Sequence, residues 1–196
     1  MLYDSINIKK LKEEKLSKLL NEVLIIAQKH NLSSLERWLL LELNGYLADN
    51  PAMDEDIEVP EYRTVSGQYY DNNERPLVLQ DPKLQFVNTY RLRNKIVELE
   101  KYSEKDEYLK LRVIGFINLI EKHLGVKVSY FLLSPTEVEG ILSSIRTELI
   151  HRLHEIEEIK ISKDITNPNE ITTYDKVYRY IKNNKVFVCI IIFITI

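Results

Sequence analysis

What this 196-residue chain has little of removes several classes of function at once. Cys189 is its one cysteine, so no disulfide can close within the chain and no zinc site can be built from thiolates. The five glycines, Gly45, Gly67, Gly115, Gly125 and Gly140, follow neither a GxGxxG nor a GxxxxGK(S/T) order, so the common phosphate-cradling loops are missing. An excess of one charge is missing too. Thirty acidic residues face 27 basic ones, for a net charge of −3, whereas gripping nucleic acid by bulk charge takes clustered Lys and Arg; nucleic acid as a partner is left only to a local basic patch. The opening MLYDSINIKKLKEEKLSK holds no apolar run of the kind a secretory leader needs, which makes the cytoplasm the expected compartment. Neither a cofactor nor a metal is expected from these patterns.

What is there reads mostly as helix. Leu16, Leu19, Leu20, Val23, Leu24 and Ala27 recur on one face of a helix expected from about Ile8 to His30, with the lysines and glutamates of its start on the solvated side. Ser33 and Glu36 have capping-box spacing ahead of a second helix, Ser34 to Asn44. Its Leu35, Trp38, Leu39, Leu40, Leu41 and Leu43 leave little polar circumference, which places it at the centre of the core. Asn44 and Gly45 read as its C-cap. An acidic, proline-bounded loop follows, from Leu47 to Pro60. Without a central glycine it does not fit a calcium loop.

Tyr62 to Tyr70, rich in aromatic and β-branched residues, reads as a strand. Helices are expected over Lys83 to Tyr102 and over about Asp106 to Leu124, the latter closed by Gly125. VKVSYFLL, Val126 to Leu133, reads as a second strand with the Tyr62 strand as its obvious partner. The clearest local signal is Ser134-Pro135-Thr136-Glu137: an N-cap serine, proline in the first turn and a glutamate completing a capping box. The helix behind it carries the stripe Val138, Ile141, Leu142, Ile145, Leu149, Leu153 and Ile156 to about Glu158. The expected fold is therefore helix-dominated α+β, about five helices with a small two- or three-stranded sheet. Residues 1–160 form the domain and 161–185 a linker with a short helix at Tyr174 to Lys182. Residues 186–196, VFVCIIIFITI, form an apolar tail. As a helix this tail would reach only roughly 16 Å, too short to cross a membrane alone. A buried strand, a truncated anchor and a reading-frame artefact all fit it.

Three stretches resemble the AbiTii family of bacterial abortive-infection proteins: LLNEVLIIAQKHNLSSLERWLLLELNGY (Leu19 to Tyr46), VPEYRTVSGQYYD (Val59 to Asp71) and LLSPTEVEGILSSIRTELIHRLHEIEE (Leu132 to Glu158). Nothing after Glu158 resembles the family core. The resemblance implies a role in defence against phage, in which infected cells stop growing or die. It singles out Trp38, Glu42, Asn44, Gly45 and Tyr46; Glu61, Tyr62, Arg63 and Gly67; and Glu139, Gly140 and Arg146, without assigning any of them a reaction.

Each of these residues has a structural and a chemical reading. Trp38 reads as core, with its indole N–H bonded nearby. Gly140 inside a helix costs up to about 1 kcal/mol relative to Ala, which suggests close approach by another backbone. Glu139 and Arg146, seven apart, share a helix side off the apolar stripe. With Glu42, Glu61, Tyr62 and Arg63 they could form a metal-independent phosphodiester-cleaving site, glutamate as base and arginine as anion stabiliser. His151 and His154, each followed by a glutamate at i+4 (Glu155 and Glu158), read as local pairs at a polar helix end. No nucleophile–base pair stands out. The leading expectation is thus a regulatory or protein-interaction module without catalysis, with another protein or a second copy as partner. A small nuclease-like toxin is the first alternative, and a membrane effector acting through 186–196 the second.

Overall fold

A computed structural model describes residues 14–105 and 107–165. Helix α1 spans Leu16–Lys29 and α2 Ser33–Asn44, followed by a 3-10 turn at Glu61–Arg63. Strands β1 (Thr64–Ser66) and β2 (Gln68–Asp71) come next, then a 3-10 segment (Pro82–Asn88) and β3 (Thr89–Arg91). Helix α3 (Ile96–Ser103), β4 (Leu109–Leu111), α4 (Ile114–Leu124), β5 (Val128–Leu133) and α5 (Pro135–Ile165) complete the order. The fold is helix-dominated α+β, as expected, but with two small antiparallel sheets, β1-β3 and β2-β5-β4. The chain divides into two compact units, Met1–Ile150 and His151–Ile196; in the second, α5 continues to Ile165.

Helix α1 buries Leu16, Leu19, Leu20, Val23 and Ala27 on one face, and each fully buried Leu or Val contributes about 1.5–3 kcal/mol. It packs on α2 and α3. Asn31, with φ +54°, makes the turn into α2, and the Leu32 amide closes back on the Ala27 carbonyl at 2.9 Å. Asparagine tolerates that left-handed conformation better than most residues. This turn replaces the expected capping box. Ser33 is already helical, no side chain caps α2, and the Glu36 carboxylate accepts from the Gln28 side chain at 3.0 Å instead. On α2, Leu35, Trp38, Leu39, Leu41 and Glu42 are buried, whereas Leu40 and Leu43 are only half-buried.

Three expected elements are divided by tertiary pairing. The Tyr62 strand breaks at Gly67, so that β1 pairs with β3 (Val65 opposite Tyr90) and β2 with β5 (Tyr69 opposite Phe131). A Cβ at Gly67 would lie 2.4 Å from the Phe131 ring and 2.5 Å from the Leu132 carbonyl oxygen, so the crossing between the sheets admits only glycine. The pairing of the VKVSYFLL strand with the Tyr62 strand holds, through β2. The expected helix 83–102 becomes a 3-10 segment, β3 and the short α3; pairing with β1 outweighs the helical spacing of its apolar residues. Asp81 accepts from the Lys83 amide and Pro82 sets the first position of that segment. Likewise the expected helix 106–124 starts only at Ile114, because Leu109–Leu111 adds to the free side of β5.

At the start of α5 the Ser134 hydroxyl accepts from the Glu137 amide at 3.4 Å. The other half of that box is redirected: the Glu137 carboxylate accepts from the Ser66 amide at 2.7 Å, joining α5 to β1. Val138, Ile141, Ile145 and Leu149 are buried along the stripe. The helix runs on past Glu158 to Ile165. The start of the expected first helix, the short helix at Tyr174 and the 186–196 tail lie outside the described residues. No helix among the described residues is long and apolar enough to cross a membrane.

Candidate functional site

The residues singled out from three separate stretches of sequence meet in part, around Glu42. It sits in the last turn of α2 with no solvent access, as does Arg63 at the end of the 3-10 turn. The Glu42 carboxylate accepts four hydrogen bonds. Its Oε1 takes the hydroxyls of Tyr46 at 2.7 Å and Tyr62 at 2.6 Å. Its Oε2 takes Arg63 Nε at 3.1 Å and Nη2 at 2.6 Å. Arg63 Nη1 donates to the carbonyls of Leu92 at 3.0 Å and Asn94 at 2.9 Å, and the guanidinium lies 4.8 Å from the centre of the Tyr46 ring. The Trp38 indole N–H donates to the Tyr62 hydroxyl at 3.0 Å, as the sequence reading expects of it.

The charges in this group are satisfied where they stand. A buried charge is tolerated only when it is paired and its remaining hydrogen-bonding capacity is filled. Here four of the five guanidinium N–H groups are spoken for, one from Nε, one from Nη2 and two from Nη1. Burial first, and then the Glu42 charge, hold the Tyr46 and Tyr62 phenols well above the ordinary tyrosine pKa. Both hydroxyls therefore stay neutral donors. A general base must reach a substrate proton, and an anion-stabilising arginine needs open donors. Glu42 and Arg63 offer neither. What they do instead is lock three elements together: the end of α2, the 3-10 turn and the backbone after β3.

Gly45 completes the lock. Its amide closes α2 on Leu41 O at 2.9 Å, and the next amide, Tyr46, bonds Arg93 O at 2.9 Å. A Cβ at Gly45, whose φ is +81°, would come 2.5 Å from that same Arg93 oxygen. The C-cap reading thus holds for Gly45, while Asn44 is an exposed last helical residue. The side-chain amide that serves this helix end is Asn50, buried and bonded to Gly45 O at 2.6 Å. Sequence reasoning missed Asn50 because it lies in the acidic loop from Leu47 to Pro60, where no motif singles it out. It missed the Leu92 and Asn94 carbonyls because any residue supplies one.

The remaining candidates lie elsewhere. Glu61 is 92% exposed and 3.6 Å from the Arg91 guanidinium. Glu139 is exposed and lines a cleft with Ser103, Glu104, Tyr108 and Ser134. Arg146 is half-buried and donates to the Glu14 carbonyl at 2.8 Å, tying α5 to the approach to α1. Burial pulls its pKa below the ordinary guanidinium value, opposed by Glu100. Gly140 is exposed, and a Cβ there would touch nothing within 4 Å among the described residues, so the close approach expected of it is not made by any of them. His151 lies 3.6 Å from Glu155, the local pair expected. Among the described residues no three His, Cys, Asp or Glu side chains gather as a metal site would require.

A model of the family described as AbiTii matches residues 2–183. The chain belongs to the AbiTii family. It is accordingly a domain associated with abortive infection and phage defence. The match runs well past Glu158, where the resemblance of the sequence stretches ends, so the AbiTii span takes in most of the segment expected to be a linker. Searches of curated proteins and of solved structures return no match. Of the positions that the AbiTii resemblance picks out, Trp38, Glu42, Gly45, Tyr46, Tyr62 and Arg63 form the buried lock, and Gly67 makes the crossing between the sheets.

Proposed function

We propose that this AbiTii domain acts in phage defence as a regulatory or protein-interaction module, in the cytoplasm, without a reaction of its own. The observation that carries the proposal is the state of Glu42 and Arg63. The two signature residues with the strongest acid–base and anion-binding potential are inaccessible and bonded to each other, with four of the five Arg63 N–H groups engaged. The partner is a second protein or another copy of the chain. The nuclease alternative needs Glu139, Arg146 and Glu61 beside them, and these three are engaged or exposed at other places in the fold.

The test is turnover. Purified chain mixed with RNA, DNA and nucleoside triphosphates, with and without divalent cations, is expected to leave all of them intact. Cleavage that disappears in Glu139→Gln or Arg146→Lys, with folding unchanged, would overturn the proposal in favour of a toxin. In a phage-challenged host, Arg63→Met is expected to lose protection only in step with its loss of folded protein.

A further inference from the structure

An open cleft of about 610 Å³ lies between β3, the loop before the 3-10 turn and α4. That volume falls within the range of ordinary small-molecule sites, roughly 300–1,000 Å³. Its wall combines two kinds of group. One is a set of rings: Phe86 and Tyr90 each meet Phe116 edge-to-face, at 5.8 and 6.3 Å, and Phe86 keeps 54% of its surface exposed. The other is a pair of guanidiniums two residues apart, Arg91 and Arg93.

The two arginines differ in what holds them. Arg91 is oriented by Val59 O at 3.0 Å and by the almost fully exposed carboxylates of Glu58 and Glu61, at 3.7 and 3.6 Å. Arg93 is exposed, and its guanidinium has no hydrogen bond or ion pair among the described residues. An exposed phenyl ring and an open guanidinium fork lining one cleft fit a ligand that carries a planar ring and a phosphate together. Rings accept base stacking, and guanidinium donors match phosphate oxygens. Glu58 sharpens the choice. Its carboxylate in the same wall repels a purely anionic ligand, yet accepts hydrogen bonds from ribose hydroxyls or an exocyclic amine.

We infer that this cleft binds a nucleotide unit, its base against Phe86 and its phosphate on Arg93. The ligand is either a free nucleotide or a residue of a single-stranded RNA. The near-zero net charge of the chain does not oppose this, since the site needs two local guanidiniums and no bulk field. The inference concerns binding and holds whether or not the domain catalyses anything.

The experiment titrates the full chain with ATP, with GTP, with a ten-nucleotide single-stranded RNA and with inorganic phosphate, by calorimetry and by anisotropy of labelled RNA. Saturable binding of a nucleotide or of the RNA at least ten-fold tighter than phosphate is expected. Arg93→Ala and Phe86→Ala, both changes of exposed side chains, should each weaken it about five-fold or more while thermal unfolding stays within roughly 2 °C of wild type. Tighter RNA than ATP assigns the strand as source, and the reverse assigns the free nucleotide. In the RNA case Arg93→Ala should also reduce the salt slope by about 1. Three outcomes overturn the inference: no nucleotide or RNA binding up to millimolar concentration, phosphate binding as tightly as nucleotide, or wild-type affinity in both variants.

Discussion

Arg63 and Arg93 sit at the same end of the small antiparallel β1-β3 ladder, one just before β1 and the other two residues after β3, and their surroundings could hardly differ more. Arg63 has no solvent access, shares Glu42 Oε2 through two donors and fills two further backbone carbonyls. Arg93 gives its backbone oxygen to Tyr46 and keeps its guanidinium in the open. One charge has been spent on architecture and the other is available to a ligand. Residue type therefore says little about role in this chain; desolvation and the supply of acceptors decide it.

The sharpest way to break the comparison is to remove each guanidinium in turn. Arg63→Met leaves the Glu42 charge buried without its partner and is expected to cost about 3–5 kcal/mol in a denaturant titration. Arg93→Met should stay within about 0.5 kcal/mol of wild type. Equal costs would show that the Glu42 group is not the lock described here.

Next in size is Gly67→Ala, where the added methyl meets the Phe131 ring and the Leu132 backbone. Overpacking of that kind costs about 1–3 kcal/mol. A neutral result would mean that the two sheets slide apart easily at their crossing.

The tyrosines give a smaller and signed contrast. Tyr62→Phe removes the acceptor of Trp38 and one donor to Glu42, a loss of about 1–2 kcal/mol. Tyr69 is fully buried as well, but among the described residues its hydroxyl has no hydrogen-bond partner. Tyr69→Phe should therefore be neutral or gain up to about 1 kcal/mol. The same phenols set an alkaline limit. Their folded pKa values are raised by burial, so the stability they confer is complete below the unfolded phenol value near pH ~10 and is lost as pH rises above it. Unfolding followed from pH 8 upward should fall more gently for Tyr62→Phe than for wild type.

The smallest effect is expected at Gly140, where an added methyl on the exposed α5 surface touches nothing among the described residues. Gly140→Ala should gain up to about 1 kcal/mol in thermal unfolding. A loss would point to a contact of that face outside the described residues.

Reading the chain residue by residue recovered α2 closely, together with the ends of α1 and α4 and the start of α5, where their apolar stripes were unbroken. It failed over 83–112, where Thr89–Arg91 and Leu109–Leu111 look like parts of helices but pair as strands with segments far along the chain. Of the candidate site, Trp38, Tyr46, Tyr62, Arg63 and Glu42 were named from sequence. That they close on one another, while Glu61, Glu139 and Arg146 do not join them, depends on contacts between elements. The Arg91–Arg93 cleft carries no motif at all; an aromatic residue beside two spaced arginines in YRLR was its only trace.

By itself the sequence determined the helix-rich class, the positions of most helices and the family to which the chain belongs. These follow from side-chain periodicity and short motifs, which a window of one or two dozen residues contains. Only the tertiary structure decided which strands pair, which charges lose their water and which arginine stays exposed. Those outcomes depend on acceptors and surfaces that arrive from distant parts of the chain, and on the desolvation cost of any charge that finds none.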